Sequence, residues 1–498
     1  MIKNKKYISV MMIILNIFSA LFYAVYAFAD IQGNVSNIAS AITFLLIIGN
    51  FIYAAHFKTK SSILQIILNA FLFIINFASN YLVGLSVYTL DKNYIGIISI
   101  ILLFVMNALF FISYCKKAEK QIEINKTAAL ILSAAGILFL LSIVIVAFIS
   151  LLAETPINSN TVNLSLLLIV LCSAVYALIC VLTGGFHSNL TKDFACGMFI
   201  FAIVSLCVLQ SGVKDDILNA NAEFHDIDII SEDNMRKIPY SLADEFVGIE
   251  TAGFEIKRDV VYYSSDEGLD NGLTLRYDMY LPENQNGSSS VLVNIHGSGG
   301  DKDIGNYAHR NKYFASRGYI VFDLQIGDWN EKNTGFQADM RTAENMLFHI
   351  DKFFEYLSLN NDMNADLSSV FITGVSMGGT LASKYAYSYD NNLDEYGIEL
   401  KAIIPVYPGY SPDDEGIDNY LNYVDSDSVP AMIVMGTSDC IVRTETVEET
   451  QDAYHNAGNP NCFALEISYG GHGSDSLMTG RFNQLVMYYA ERFMAQYK

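Results

Sequence analysis

The run Gly374-Val375-Ser376-Met377-Gly378-Gly379 places a serine between glycines at the spacing G-x-S-x-G. A serine hydroxyl is a poor nucleophile until a base takes its proton, and that base is usually a histidine held by a carboxylate. His472, in Tyr469-Gly470-Gly471-His472-Gly473, has glycines on both sides that allow a tight loop. Asp439 ends Gly436-Thr437-Ser438-Asp439. Serine, acid, histidine is one of the chain orders in which such a triad occurs. The expected roles are therefore Ser376 as nucleophile, His472 as base and Asp439 as the acid, and the chemistry is acyl transfer through a covalent acyl-enzyme. Asp439 would equally suit a loop carboxylate capping its own turn, and Asp413 and Asp414 compete for the acid's place.

The same chemistry needs backbone N–H groups aimed at the oxygen that becomes an anion. Met377, directly after the nucleophile, supplies one. A second is expected from His296-Gly297-Ser298-Gly299-Gly300, with Ser298 first and Gly297 second. His296 precedes the serine and is expected to brace this loop. The loop lacks the Lys-Ser/Thr ending of a phosphate cradle. The other histidines fit a base less well: His225 lies in a polar stretch, His349 in an amphipathic helix, and His309 and His455 on helix surfaces. This chemistry requires no metal and no organic cofactor.

Such residues must be carried by something rigid. Two alternating runs, 259–264 and 273–281, predict an antiparallel pair of strands. Short β-rich runs follow at 291–295, 319–324, 369–373, 402–406, 431–435 and 463–468, most of them separated by helical stretches. Buried strands alternating with helices predict a mainly parallel sheet with flanking helices. Each candidate residue directly follows one of these strands. Only 24 residues, 407–430, lie between two of them, so any lid there is small, which favours short acyl groups or acylated glycans. Trp329, the sole tryptophan, follows the run 319–324 and offers either a platform for a sugar or aryl ring or ordinary packing.

The first 211 residues are different in kind. Seven apolar stretches, at about 7–29, 35–56, 62–88, 94–114, 127–153, 162–186 and 193–211, approach or exceed the roughly 20 residues that cross a bilayer. Alternate connecting segments carry ten lysines against one, which predicts a cytoplasmic N-terminus and places everything after Ser211 on the extracytoplasmic side. Lysines, an apolar run and Ala27-Phe28-Ala29 also resemble a cleavable signal, but the run is longer than the usual h-region, so a retained helix is expected. Asn69, Asn76 and Asn80 share one helical face, which suits hydrogen bonds between helices. The expected organisation is an all-α multi-pass membrane region over 1–211, an acidic linker over 212–256, and a catalytic domain over 257–498.

Charge follows the same division. Eleven lysines against six carboxylates leave the first part at about +5 and the remainder at about −27, for a net −22. So acidic a domain excludes nucleic acid as a partner and disfavours strongly anionic substrates. Of seven cysteines only Cys440 and Cys462 belong to the acidic part, too few for a disulfide framework.

With these motifs in place, residues 257–498 resemble the α/β-hydrolase superfamily, closest to carboxylesterase, feruloyl-esterase-like and hormone-sensitive-lipase-like esterases. The resemblance also rests on Arg276-Tyr277-Asp278-Met279-Tyr280-Leu281-Pro282 and on Ser316-Arg317-Gly318-Tyr319. It implies an eight-stranded α/β-hydrolase domain, an ester substrate, and Ser376, Asp439 and His472 as nucleophile, acid and base. Ser298 stands where glycine is frequent, and Val375 and Met377 replace an acidic-alanine pair common in hormone-sensitive-lipase relatives. An acyltransferase or a serine peptidase on the same fold, or a silent binding or sensor domain, are the competing readings.

Overall fold

The strands that follow residue 253 read as continuous apolar runs, and a run apolar on both faces is stable only with helices on both sides. The computed structural model describes residues 2–28, scattered helical positions between 46 and 72, residues 101–109 and 111, residues 212–224, parts of 234–249, and most of 251–498. Eight strands form one sheet: β1 (Phe254–Ser265), β2 (Leu273–Pro282), β3 (Ser289–Ile295), β4 (Ile320–Leu324), β5 (Ala365–Val375), β6 (Leu400–Val406), β7 (Ala431–Gly436) and β8 (Cys462–Ile467). Their order is β1-β2-β4-β3-β5-β6-β7-β8. β1 pairs antiparallel with β2, and β2 with β4. Every other pairing is parallel. All eight runs expected from the sequence are strands, in an α/β-hydrolase-type arrangement.

The alternation of side chains along each strand assigns the helices to faces. Val291, Val293, Ile295, Ile372 and Ile403 point to one face, where α4 (Ala343–Leu359) and α5 (Met377–Tyr387) cover them. Leu292, Asn294, Thr373 and Ile404 point to the other and line a small cavity with Phe314 of α3 (Gly305–Ala315) and Val486 of α8 (Arg481–Tyr497). The remaining helices are α6 (Leu393–Tyr396) and α7 (Thr446–Asn456). β1 is one of the two edges of the sheet; it carries exposed Lys257, Arg258 and Asp259 and two register shifts, features that discourage further pairing.

A helix over residues 212–223, α2, precedes the sheet. Its buried positions, 212, 213, 216 and 220, fall at helical spacing, and with buried Phe224 they form one buried face that is apolar except for Asp216. Phe224 stacks on Phe463 of β8 and Tyr489 of α8, with ring centroids 5.1 and 5.4 Å apart.

The chain divides into two compact units, one of Met1–Val83, Tyr88–Ser211 and Leu242–Ile249, the other of Gly84–Val87, Gly212–Ser241 and Glu250–Lys498. In the first, α1 (Ile2–Phe28) buries Asn16, which exchanges hydrogen bonds with Asn50, and Asn50 donates to Asn69. Asn69 thus joins a polar cluster between helical segments; Asn76 and Asn80 lie outside the described residues. Among the described residues no helix is long and apolar enough to cross a membrane. The spanning segment expected at 7–29 falls on α1; those at 127–153, 162–186 and 193–211 lie outside the described residues, and those at 35–56, 62–88 and 94–114 are described only in part.

Candidate active site

β5 ends at Val375 and α5 begins at Met377, so Ser376 must turn the chain in a single residue. It does so at φ 56° and ψ −121°, a conformation that side chains rarely adopt. The flanking glycines are required by contact. A Cβ on Gly374 would stand 2.3 Å from the Gly378 carbonyl oxygen, and one on Gly378 would stand 2.2 Å from that of Ile295. Ser376 N–H donates to Val406 O at 2.8 Å, which ties the turn to β6. Met377 is the first residue of α5, so its N–H has no acceptor within the helix.

The structure brings the three expected side chains together at the carboxyl edge of the sheet, where open α/β sheets bind ligands. Ser376 Oγ lies 3.0 Å from His472 Nε2, and His472 Nδ1 lies 2.9 Å from Asp439 Oδ2. With Nδ1–H donating to the carboxylate, Nε2 is left to accept the serine proton. The Asp439 side chain is fully buried and that of His472 is 15% exposed. Asp439 Oδ1 meanwhile accepts from Ile441 N–H and Val442 N–H, both at 2.9 Å. The turn-capping and histidine-holding readings of Asp439 are therefore both realised, one on each oxygen. Asp413 and Asp414 lie outside the described residues, together with the rest of 410–418 from the segment 407–430.

Tyr407, after β6, packs its ring 5.1 Å from the His472 ring and 5.1 Å from Phe482. Its φ of 51° is fixed by the fold and leaves no mark in the sequence.

The loop after β3 lies beside the serine: a Cβ on Gly297 would stand 3.1 Å from Val375 O and 3.5 Å from Ser376 Cβ. Gly299 N–H donates to Asp328 Oδ2 at 2.6 Å, and Gly300 N–H to Gly297 O at 3.0 Å. Gly297 N–H is taken by the Tyr307 hydroxyl, so in the stretch Gly297–Gly300 it is Ser298 N–H that has no acceptor among the described residues.

His296 braces this loop as expected, and its partner Glu331, with Asp328 and Lys302, adds three supports that were not anticipated. His296 is fully buried between Gly297 O (2.9 Å from Nδ1) and Glu331 Oε1 (2.8 Å from Nε2). Both ring nitrogens face acceptors, so both carry protons. Burial opposes that charge, but the Glu331 carboxylate outweighs it and the pKa is pushed up to about 9. His296 is a brace and not a base. Glu331 also accepts from Ile326 and Gly327 N–H. Asp328 accepts from Gly299 with one oxygen and from Trp329 N–H, at 2.8 Å, with the other. Lys302 Nζ reaches buried Asp278 and exposed Asp259, each at 2.7 Å, which gives the Arg276–Pro282 motif its anchoring carboxylate. The positions of Asp328 and Glu331 just after a parallel strand were the available signal.

Trp329 is 49% exposed, and a Cβ on Gly299 would stand 2.9 Å from its indole Cζ2. His349 is fully buried on α4, hydrogen-bonded to Ile326 O and Asp270. His309, expected on a helix surface, has its Nε2 buried, because that face of α3 turns inward. Desolvation and the nearby Lys312 and Arg310 charges lower its pKa to about 4. Cys462 carries a free thiol. Among the described residues no group of three or more His, Cys, Asp or Glu side chains is placed to hold a metal ion.

Residues 277–465 match the family model described as the dienelactone hydrolase family. The matched stretch includes Ser376 and Asp439 and ends before His472. No curated protein matches the chain. Among solved structures, a thermophilic esterase of the planctomycete Thermogutta terrifontis with butyrate bound is 20% identical, covering 49% of this chain and 94% of that one at a TM-score of 0.39. The apo form of Thermogutta terrifontis esterase 2 is 19% identical over 50% and 96% at 0.39. A truncated carbohydrate esterase from gut microbiota is 18% identical over 48% and 97% at 0.36.

Proposed function

We propose that this chain is a serine hydrolase of carboxylic esters. The observation that carries the reading is the hydrogen-bonded series Ser376 Oγ, His472 Nε2, His472 Nδ1, Asp439 Oδ2, with contacts of 3.0 and 2.9 Å. His472 takes the Ser376 proton as Oγ attacks the ester carbonyl. Asp439 keeps the proton on Nδ1 and stabilises the imidazolium that forms. The tetrahedral oxyanion is received by Met377 N–H together with Ser298 N–H; Gly297 N–H, the second choice, would first have to release the Tyr307 hydroxyl. His472 then gives its proton to the leaving alcohol as the carbonyl re-forms. A water deprotonated by His472 attacks the acyl-enzyme, and collapse of the second tetrahedral state returns the proton to Ser376 and releases the acid.

The substrate we favour is an ester with a short acyl group, or an acylated glycan, with a ring placed at the rim. Half-exposed Trp329 beside the oxyanion loop supports a ring there. We further propose that residues 1–211 anchor the enzyme as a multi-pass region, with the N-terminus cytoplasmic and the hydrolase domain extracytoplasmic. The seven apolar stretches and the lysine asymmetry support this placement. External protease added to intact cells should remove an epitope placed after Lys498; full protection would reject it.

The deciding experiment on the chemistry is Ser376→Ala in the full chain, assayed on p-nitrophenyl acetate, with fluorophosphonate labelling of both proteins. Loss of turnover and of labelling is the expected result. Near-normal turnover by the variant would reject the assignment.

A further inference from the structure

His472 is joined to β8 by Ser468, Tyr469, Gly470 and Gly471, and each of their backbone N–H groups has a fixed acceptor. Tyr469 N–H donates to Thr437 Oγ1 at 3.0 Å, Gly470 N–H to Ile467 O at 3.0 Å, and Gly471 N–H to Ser474 Oγ at 2.8 Å. Those three acceptors belong to the end of β8, to the same loop or to the loop after β7. The fourth does not. Ser468 N–H donates at 2.9 Å to Oδ1 of Asp216, 252 residues earlier on α2.

Asp216 is an unusual choice of acceptor. It is only 2% exposed, and its second oxygen is buried with no hydrogen-bond partner among the described residues. A half-satisfied buried carboxylate is costly. A charged acceptor in turn holds an N–H more tightly than a neutral one. The Arg481 guanidinium takes the Ser468 carbonyl from the other side and lies over the Tyr469 ring, 5.8 Å from its centroid. The same helix also presses directly on the loop. A Cβ on Gly212 would stand 3.0 Å from Ser468 Cβ and 3.2 Å from Tyr469 Cε2.

We propose that Asp216 is a positioning residue for His472, and that α2 sets the height of the histidine loop so that the imidazole meets both Ser376 and Asp439. This rests on the triad reading above and assigns part of the catalytic support to a helix that precedes the sheet.

The test compares Asp216→Ala, Asp216→Asn and Gly212→Ala with the wild type, all as full chains. Asp216→Ala should lower kcat on p-nitrophenyl acetate about 10- to 100-fold, the scale of a small misplacement of a catalytic group, with KM unchanged. Fluorophosphonate labelling of Ser376 should slow by the same factor. Asp216→Asn keeps an oxygen able to accept from Ser468 and should restore most of the rate. A purely structural role would lower the melting temperature of Asp216→Ala and leave kcat per labelled site at the wild-type value, which would overturn the proposal. Should Asp216→Ala fail to fold, Gly212→Ala is read in the same way: reduced kcat at unchanged KM supports the proposal, and wild-type kcat overturns it. Turnover by Ser376→Ala would remove the site itself, whereas an inactive Ser376→Ala beside a fully active Asp216→Ala removes this inference alone.

Discussion

Gly436 and Gly470 lie so close that a Cβ on Gly436 would stand 2.3 Å from the Gly470 carbonyl oxygen. Gly436 ends β7 ahead of Asp439, and Gly470 follows β8 ahead of His472. The two loops are further stapled by the hydrogen bond from Ser438 N–H to Gly470 O at 2.7 Å. Close approach of two backbones therefore sets the separation of the acid and the base.

Gly436→Ala should force those loops apart. The three atoms nearest to the added Cβ are all backbone atoms of Gly470, so no flexible side chain can give way. Activity on p-nitrophenyl acetate should fall by about 100-fold, since a displacement near 1 Å has that effect on a positioned catalytic group. Circular dichroism of the same sample separates this from global unfolding. Wild-type kcat in a folded variant would show that the contact does not position the pair.

Asp439→Asn tests which oxygen matters. An asparagine can still accept from Ile441 and Val442 N–H, so the loop is kept. It cannot both do so and hold Nδ1–H as a carboxylate does, so the imidazole takes the wrong tautomer. In a serine protease the equivalent change costs about 10⁴ in kcat, and a loss on that scale is expected here. Rate against pH, with a melting curve, is the measurement; a loss below tenfold would reduce Asp439 to its capping role.

Much of this arrangement was legible because it is local. The glycines around Ser376 and the apolar strand runs are short-range signals, and they located all eight strands and the serine, acid and histidine that the fold brings together. What was not legible depends on distant packing. Nothing near His296 in the chain announces Glu331, and nothing near Ser468 announces Asp216. Tyr407 reaches His472 only through a positive φ imposed by its surroundings. His309 was placed on a surface because the short α3 is only weakly amphipathic, and the sequence alone does not orient it.

The His296–Glu331 pair makes a prediction about stability against pH. The folded pKa of His296 is raised from 6.5 to about 9. A raised histidine pKa contributes stability that is fully present below pH 6.5 and is lost as pH rises through about 9. Glu331→Gln removes the partner of a buried cation and should cost about 3–5 kcal/mol near neutral pH. Urea denaturation of both proteins across that range should show the difference shrinking at the alkaline end. A difference independent of pH would mean that His296 is already neutral in the folded protein.

Trp329 gives a test of the proposed ring at the rim. It is the chain's sole tryptophan and half exposed, so its emission reports binding at this place and nowhere else. Stacking of a ring on an aromatic side chain contributes about 0.5–1.5 kcal/mol beyond its area burial. Trp329→Ala should therefore raise KM by up to about tenfold for acetylated sugars or aryl acetates, and should leave simple alkyl acetates, followed by pH-stat titration, nearly unchanged. In Ser376→Ala, an acetylated sugar and an aryl ester added separately should each be scored by quenching, which distinguishes a glycosyl from an aryl preference. Equal effects of Trp329→Ala on alkyl and ring-bearing esters, with no quenching by either ligand, would return the indole to a packing role over Gly299.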